Sequence, residues 1–385
     1  MSSRSILSAY MILPPAMLGM LGGGQLGRFF VIAAHEMGYR VTVLDPDKNS
    51  PAGKIADVHL CADYDDAAAL KTMAETCQAI TTEFENVPAS TLDTLAQTRT
   101  VRPSAKAVSV AQHRVLEKQF IRDAGIPVAP FVVVNVASDL PVDGEAIYPA
   151  ILKVARFGYD GKGQARVANQ AQAQAAFEAF KGEQCVLEKM LSLDYEVSVV
   201  LARDAQGNVA PYPLAENSHL NGILDVSIVP ARAPKVIQDQ ARQLAIKIAE
   251  KLEYVGVLAV EFFVSNGELL ANEMAPRPHN SGHYTIDANV TNQFEQQLRA
   301  LVGLPLGDSR LHSQAVMVNI LGDIWKNGTE PAWDKIFSRS ELKLHLYGKH
   351  EPRPGRKMGH YTVIGADQET VIVNAIKARE ELGIG

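Results

Sequence analysis

The stretch Val257-Leu-Ala-Val-Glu-Phe-Phe-Val-Ser-Asn-Gly-Glu-Leu-Leu-Ala-Asn-Glu273 predicts two antiparallel strands joined by a tight turn. An Asn-Gly pair between two β-rich runs is a strong hairpin signal, because both residues tolerate positive φ. Glu261 interrupts an apolar run, where a carboxylate is costly unless it is paired or bound to a metal. A second acid, Glu273, follows twelve residues later, across the turn.

The register of this hairpin decides whether the two acids face each other. A strict two-residue turn at Asn266-Gly267 pairs Glu261 with Asn272, whereas one extra residue in the loop places Glu261 opposite Glu273. Two facing carboxylates with open positions are what Mg²⁺ needs when it also bridges ATP phosphates. The magnesium hypothesis therefore predicts the bulged register, and a structural salt bridge at Glu261 is the alternative.

A glycine-rich segment, Gly158-Tyr-Asp-Gly-Lys-Gly-Gln164, follows an apolar strand that carries Lys153 near its end. A loop so rich in backbone donors is suited to closing over a triphosphate. It does not match GxxxxGK[ST], so it is not a Walker A loop. The alternatives are a mobile hairpin turn for the loop and a solvated strand end for Lys153.

Two further groups of residues are suited to nucleotide and anion binding. Glu188-Lys-Met-Leu191 ends a predicted strand and Glu196 begins the next, so backbone groups could bind a base and a carboxylate the ribose, although such acids are usually just solvated. The hairpin is followed by Pro276-Arg-Pro-His-Asn-Ser-Gly-His283, whose arginine and amide suit a small anion. The prolines and glycine there argue against a helical zinc pair at His279 and His283.

Near the N-terminus, Gly22-x-Gly24-x-x-Gly27 lies between a predicted strand and helix, and Asp45 ends the next strand. This pattern matches the dinucleotide fingerprint and, taken alone, predicts an NAD-dependent oxidoreductase. Glycines also let backbone N–H groups approach any phosphate at a helix N-terminus. Another phosphorylated ligand, or a purely structural turn, therefore remains open.

Composition narrows the classes of function. Lys plus Arg number 37 and Asp plus Glu 43 in 385 residues, a net charge of −6, which excludes an overall basic field for nucleic acid or an anionic membrane. Three separated cysteines without a CxxC pair indicate a reducing, cytoplasmic compartment rather than a disulfide framework or a cysteine-based zinc site. No apolar run approaches the ~18 to 20 residues of a membrane span.

The pattern of predicted elements changes along the chain. The first hundred residues alternate strand and helix signals, which predicts a parallel, doubly wound α/β sheet. A single helix is predicted over residues 104–124, and one strand over residues 209–215. The later strands read as antiparallel, so the fold class is α/β followed by α+β. Three domains are expected, at residues 1–110, 111–302 and 303–385, the last small and mixed.

In this order, the motifs resemble the ATP-grasp superfamily and, within it, the ATP-dependent 5-aminoimidazole ribonucleotide carboxylases. The resemblance runs from about residue 14 to the C-terminus. It rests on the acids Glu261 and Glu273, on the loop 158–164 and on residues 272–284. Three further segments support it: Gly22-Gly-Gly-Gln-Leu-Gly-Arg28, Glu83-Phe-Glu-Asn86 and Gly355-Arg-Lys-Met-Gly-His360. It implies an ATP-grasp fold with an N-terminal pre-ATP-grasp domain, a glycine-rich lid and a C-terminal ribotide-binding domain. The implied ligase uses ATP and bicarbonate to form 5-(carboxyamino)imidazole ribonucleotide through carboxyphosphate, in purine biosynthesis.

The resemblance also implies roles for individual residues. ATP would be bound by Arg114, Lys153, Gly158, Tyr159, Asp160, Gly161, Lys162, Gly163, Gln164, Glu188, Lys189, Met190, Leu191, Glu196, His219, Asn272 and Glu273. Mg²⁺ would be held by Glu261 and Glu273, and bicarbonate would be positioned by Arg277, His279 and Asn280. Tyr159 and Asp160 would contact the aminoimidazole ring. The phosphate of the ribonucleotide would be bound by Gly24, Gln25, Leu26, Lys349 and Arg356.

Two departures and three competing functions qualify the resemblance. His113 stands where the family often has Asp, and Ala275 where many ATP-grasp enzymes have a metal-binding Asn. The competing functions are another ATP-grasp ligase, such as the formate-using ribonucleotide transformylase or biotin carboxylase, an NAD-dependent dehydrogenase, and a non-catalytic ATP-binding module. Relatives suggest a homodimer formed through the ATP-grasp domain.

Overall fold

The computed structural model describes residues 11–156, 163–325 and 328–384, which are arranged around three β-sheets. Within these ranges, no helix is long and apolar enough to cross a membrane.

The first sheet is parallel throughout and has the order β3-β2-β1-β4-β5. Its strands are β1 (Met17–Leu21), β2 (Arg40–Leu44), β3 (Val58–Leu60), β4 (Ala79–Thr82) and β5 (Thr100–Val101), with helices α1 (Gln25–Glu36), α2 (Ala67–Thr76) and α3 (Ala89–Ala96) between them. Leu18 and Val41 in its centre are fully buried, as expected for a sheet covered on both faces. The predicted doubly wound α/β domain is confirmed.

The single helix predicted over residues 104–124 is wrong, since the structure has α4 (Ala105–Ala111) and α5 (Arg114–Asp123). The chain is extended at His113, with φ −134° and ψ 105°. The amide of Gln112 donates to the carbonyl oxygens of Glu85 and Val87, and the Arg114 N–H donates to the Ala155 carbonyl at 2.9 Å. These contacts with distant segments outweigh the local helical pattern and start α5 at Arg114.

A small antiparallel sheet carries two of the predicted site residues. Its order is β6-β9-β7-β8, formed by β6 (Phe131–Val134), β7 (Ala150–Val154), β8 (Gln164–Val167) and β9 (Cys185–Lys189), with α6 (Gln170–Ala179) packed against it. Pairing of β7 with β9 sets Leu152 beside Leu187, one residue from Lys153 on one strand and from Glu188 on the other. This register brings the predicted lysine and glutamate together.

The large antiparallel sheet has the order β15-β14-β10-β12-β13-β16-β18-β17, with β11 also paired to β10. Its strands are β10 (Tyr195–Arg203), β11 (Val209–Pro211), β12 (Ala215–Leu220), β13 (Ile223–Val229), β14 (Gly256–Ser265), β15 (Glu268–Ala275), β16 (Gln314–Leu321), β17 (Leu342–Leu346) and β18 (Lys357–Gly365). The one strand predicted over residues 209–215 is wrong, because Pro211 and Pro213 lack the N–H that a continuous strand needs. A second Asn-Gly turn, Asn221-Gly222, joins β12 to β13 and was missed.

The C-terminal strands extend this large sheet, because β16 pairs with β13 at Val226 and Val318. Residues after 303 therefore share a sheet with the preceding segment. The remaining helices are α7 (Lys235–Lys251), α8 (Thr285–Ala288), α9 (Gln293–Val302), α10 (Trp333–Phe337) and α11 (Gln368–Leu382). Helix α7 covers the β10–β14 face, and α9 packs between β14 and α1, where its Leu298 is fully buried. The N-terminal sheet is thereby fixed against the hairpin that carries the acids.

Candidate active site

Glu261 and Glu273 are directly opposite each other in the β14–β15 pair, so the predicted register is confirmed. The turn itself is a strict two-residue turn, with positive φ at Asn266 (51°) and Gly267 (74°). The extra residue is instead Asn272, since Phe262 pairs with Ala271 and the register shifts next to Glu261. The bulge therefore lies beside the acids and not in the loop, where the sequence analysis placed it.

The two acids have opposite electrostatic environments. Burial, and then the charge of Glu273, raise the pKa of Glu261 above its usual range. Desolvation also opposes the charge on Glu273, but Arg114, whose Nη1 lies 3.1 Å from Oε2, lowers the pKa of Glu273 overall. The Glu273 side chain keeps 41% of its surface exposed. Glu261 and Glu273 are close together, and among the described residues Glu261 has no arginine partner of the kind that Arg114 provides for Glu273. Such a pair of carboxylates offers the oxygen ligands that a divalent cation requires.

Lys153 and Lys118 both bind the carboxylate of Glu188, one at each oxygen. The Lys153 Nζ lies 3.2 Å from Oε1 and the Lys118 Nζ lies 2.9 Å from Oε2, with all three side chains buried. Although desolvation opposes ionisation, the two lysines lower the pKa of Glu188 to about 2. Sequence reasoning missed Lys118, because a lysine on an amphipathic helix is typical of a solvated face.

Glu196 and His219 are in contact, with Nδ1 of the imidazole 3.1 Å from Oε2 of the carboxylate. Burial opposes protonation of His219, but the hydrogen bond to Glu196 and the charge of Glu261 raise its pKa overall. At the end of β9, the N–H of Met190 donates to Pro149 and that of Lys189 to Pro130, both at 2.9 Å. Those two amides are thus engaged within the protein.

Arg277 forms a bidentate ion pair with Glu85, a residue that the sequence analysis did not place in the site. Its Nε is 2.5 Å from Oε2 and its Nη2 is 3.1 Å from Oε1. Burial opposes the charge on Glu85, yet Arg277 lowers the pKa of that carboxyl. The partners are 192 residues apart. One edge of the guanidinium is therefore fixed by the N-terminal domain.

His279 belongs to the loop 276–283, which is predicted to bind a small anion (the anion loop). Its side chain lies beside Glu261, which together with Glu273 forms the predicted metal pair. Burial, followed by the charges of Arg277 and Lys357, holds the pKa of His279 well below its usual range, so its imidazole is neutral. Its Nδ1 accepts from the Ser281 N–H at 3.3 Å, which leaves the proton on Nε2, 3.3 Å from Glu261 Oε1. The adjacent Asn280 donates from Nδ2 to Asn319 at 3.0 Å.

The glycine turn before α1 wraps around a carboxylate of the protein itself. The N–H groups of Gly24 and Gly27 donate to Glu83, the second at 2.6 Å, and the Gly23 N–H donates to Asp45 at 2.7 Å. A Cβ at Gly22 would lie 2.5 Å from Cγ of Glu83, so these glycines permit its close approach. The Gly23, Gly24 and Gly27 N–H groups, which the dinucleotide fingerprint would offer to a pyrophosphate, are thus occupied by side chains of the protein.

The predicted ribotide-phosphate residues lie in two segments, and Lys349 of the second segment is close to this turn. Gln25 and Leu26 are the first residues of α1, whose N-terminus favours anions. Lys349 counteracts the effect of burial on the Glu83 pKa, which places its charge near the same turn. Its Nζ donates to the Lys357 carbonyl at 2.8 Å, and Arg356 Nη1 donates to the Glu351 carbonyl at 2.8 Å.

Part of the predicted lid lies outside the described residues. This applies to Gly158, Tyr159, Asp160, Gly161 and Lys162. The two residues that follow are described. The Gly163 carbonyl accepts from the Val154 N–H at 2.9 Å, and Gln164 pairs with Lys153. The C-terminal end of the loop is therefore adjacent to the buried lysine.

A group of imidazoles behind the anion loop was also missed. His345 and His360 are stacked with ring centroids 4.7 Å apart, and His283 is 4.7 Å from His360. The Phe29 ring of α1 contacts all three, and His345 Nε2 is 2.8 Å from Asp287. Aromatic contacts thus join the first helix to the loop and to the C-terminal strands. Pairs this distant in sequence leave no local signal.

Comparison with known proteins gives one family for the whole chain. Three family profiles match in order: the ribonucleotide synthetase preATP-grasp domain at residues 16–112, the ATP-grasp domain at residues 119–294, and the phosphoribosylaminoimidazole carboxylase C-terminal domain at residues 315–373. The N5-carboxyaminoimidazole ribonucleotide synthase of Bacillus subtilis is 45% identical, over 92% of this chain and 93% of that protein. That of Brucella melitensis is 46% identical, over 91% and 97%.

Comparison with solved structures gives the same family as the sequence comparisons. The ADP complex of an N5-carboxyaminoimidazole ribonucleotide synthetase superposes with a TM-score of 0.90 at 41% identity, covering 97% of this chain and 98% of that one. An Aspergillus clavatus N5-carboxyaminoimidazole synthase, in complex with ADP and 5-aminoimidazole ribonucleotide, gives 0.86 at 30% identity, covering 96% and 98%. The expected ATP-grasp architecture is thereby confirmed, and with it the flanking pre-ATP-grasp and C-terminal domains.

Proposed function

The chain belongs to the N5-carboxyaminoimidazole ribonucleotide synthases, and we propose that it carboxylates 5-aminoimidazole ribonucleotide with bicarbonate. As a ligase that forms a C–N bond in purine biosynthesis, it would consume ATP and release ADP and phosphate. The observation that carries the proposal is the bulged β14–β15 register, which sets Glu261 opposite Glu273 beside the Lys153–Glu188 pair. A dehydrogenase would have no use for this arrangement.

We assign ATP to the region where the small sheet lies close to the metal-binding hairpin of the large sheet. Lys153 and Arg114 would offset the negative charge of the phosphates. Glu196 and His219 would contact the ribose, and residues 188–191 would contact the adenine base. Glu261 and Glu273 would hold Mg²⁺, which supplies charge stabilisation on the transferred phosphoryl group. Asn272, next to Glu273 in the bulge, would lie against the phosphates, as would the lid residues 158–164.

Bicarbonate is a poor electrophile, so it must be activated before carboxylation. Its oxygen would attack the γ-phosphorus, the bond from that phosphorus to the bridging oxygen of ADP would break, and carboxyphosphate would form. Arg277, His279 and Asn280 would position bicarbonate for this attack. Because Glu85 fixes one edge of the Arg277 guanidinium, the anion would meet its remaining donors. The neutral imidazole of His279 would donate from Nε2, which lies next to the metal pair.

Carboxyphosphate decomposes in water, so the lid would exclude solvent while the amine is carboxylated. Asp160 would orient or deprotonate the exocyclic amine, and Tyr159 would contact the aminoimidazole. The ribotide phosphate would meet Lys349 and Arg356 together with the start of α1, at Gly24, Gln25 and Leu26. Since Glu83 now accepts the Gly24 N–H, the phosphate would depend chiefly on the two basic side chains.

The proposal is tested by phosphate release from ATP, measured with ribotide and bicarbonate each omitted in turn. We expect rapid release only when both are present, together with incorporation of ¹⁴C-bicarbonate into an acid-labile ribotide. Phosphate release that does not depend on the ribotide would indicate a different ATP-grasp ligase. The homodimer predicted for the family would be tested by light scattering of the purified protein.

A further inference from the structure

We propose that Lys118 is a positioning residue: it holds the buried carboxylate of Glu188 so that Lys153 can turn from Glu188 to the phosphates of ATP. This inference rests on the proposed nucleotide site and not on the identity of the second substrate. Lys118 lies on α5, in a different part of the fold from the strands that carry the other two residues.

The first step in the argument is the geometry of the three charges. Glu188 receives one lysine on each oxygen, at 2.9 Å from Lys118 and 3.2 Å from Lys153, and its own side chain is only 3% exposed. A buried carboxylate that loses its counter-ion is strongly destabilising. Lys153 could therefore not leave Glu188 for another anion unless a second cation remained there.

The second step is the difference between the two lysines. The Lys118 side chain is 2% exposed, and its charge contacts Glu188 Oε2 from the helix side. Lys153 is 10% exposed, is paired with Gln164 at the end of the lid segment, and feels the charge of Glu273 in the metal pair. Lys153 thus lies on the side of the phosphates, whereas Lys118 is enclosed in the protein. Lys118 is therefore suited to remaining at Glu188 when ATP binds, and Lys153 is suited to moving to the phosphates.

The third step is the surrounding charge. Two buried lysines share the single carboxylate of Glu188. Lys118, Lys153 and Glu188 together then carry one surplus positive charge. An incoming polyphosphate would be attracted by that surplus, while the carboxylate stays neutralised by Lys118.

The test is equilibrium binding of MgATP and of adenosine, measured by calorimetry on the full-length protein. For Lys118→Met we expect the Kd of MgATP to rise about tenfold, which corresponds to about 1.4 kcal/mol, because of the two lysines that contact Glu188 only Lys153 would then remain. Adenosine has no phosphates, so its Kd should change less than twofold. Lys106→Met removes an exposed lysine from α4 and should leave both constants unchanged.

The coupling is tested with Glu188→Gln, since a neutral amide needs no counter-ion. In that background, Lys118→Met should change the Kd of MgATP by less than threefold. Should the single Lys118→Met variant fail to fold, the comparison of Glu188→Gln with the double variant can still overturn the proposal, because a tenfold loss there would show that Lys118 acts without the buried carboxylate.

Three results would overturn the proposal. These are an unchanged Kd of MgATP in a folded Lys118→Met variant, an equal loss for adenosine and MgATP, which would mean that Lys118 only shapes the pocket, and a full tenfold loss in the Glu188→Gln background. None of these results depends on carboxylation. A wild-type protein without ribotide-dependent turnover would therefore refute the proposed function while leaving this inference testable.

Discussion

Glu261 and Glu273 face each other across the β14–β15 strand pair because Asn272 is inserted as a bulge immediately before Glu273. A one-residue change of register would turn one of the carboxylates to the other face of the sheet. Bulges are common beside active sites, where they re-aim a side chain. Here the bulge sets two acids on one face, beside Arg114 and His279.

Replacing Glu261 with Gln should weaken the dependence of turnover on Mg²⁺. The amide removes one of two anionic oxygen ligands, so we expect the half-saturating Mg²⁺ concentration to rise by about 100-fold. Phosphate release, measured over a range of Mg²⁺ concentrations, gives this value. A structural salt bridge at Glu261 would instead lower the melting temperature and leave the Mg²⁺ dependence unchanged.

Replacing Glu117 with Gln should make stability less dependent on pH. The folded-state pKa of Glu117 is raised to about 8 from 4.5, so its neutral form is favoured by folding. That contribution is complete below pH 4.5 and is lost as the pH rises through 8. Relative to wild type, Glu117→Gln should therefore gain up to about 4 kcal/mol of unfolding free energy between pH 5 and pH 8.

Urea denaturation at these two pH values measures the difference. The glutamine keeps an oxygen that can accept from the Met274 N–H, as Glu117 does at 2.6 Å, so the fold should be retained. An identical pH dependence in the two proteins would show that Glu117 is not neutral in the folded state.

Replacing Arg356 with Lys should weaken ribotide binding selectively. A lysine keeps the charge but loses the planar pair of donors that binds phosphate oxygens. We expect the KM of the ribotide to rise about tenfold while the KM of ATP is unchanged. Steady-state kinetics with each substrate varied in turn makes the measurement. A wild-type KM for the ribotide would mean that Arg356 contributes only general charge.

Replacing Asp160 with Asn should abolish carboxylation and spare nucleotide binding. The amide cannot accept a proton from the exocyclic amine, whereas binding of ATP depends on the other lid residues and on Lys153. Calorimetry with MgATP and incorporation of ¹⁴C-bicarbonate separate the two effects. Unchanged turnover in Asp160→Asn would refute its role.

Local patterns in the sequence were enough to predict the parallel first sheet and the β14–β15 hairpin. Alternation of strand and helix signals before residue 100 gave the parallel sheet, and Asn266-Gly267 gave the turn that leads to the acids. The position of the bulge could not be predicted, because either a longer loop or an extra strand residue produces the same pairing of Glu261 with Glu273.

The partners of the charged site residues were beyond sequence reasoning. Glu83 and Gly24 are 59 residues apart, and Glu85 and Arg277 are 192 apart, so no local spacing identifies these pairs. The glycine turn shows the consequence. Its sequence is suited equally to a phosphate and to a buried carboxylate, and only the fold reveals Glu83 at its donors. The helix break at His113 likewise depends on contacts made by Gln112 with a distant loop.

The activation of bicarbonate is tested most directly with ¹⁸O-labelled bicarbonate. If its oxygen attacks the γ-phosphorus, one labelled oxygen should appear in the inorganic phosphate released during turnover with ATP and 5-aminoimidazole ribonucleotide. Mass spectrometry of the phosphate makes the measurement. We predict one ¹⁸O per phosphate, and phosphate without label, formed together with carboxylated ribotide, would contradict the account.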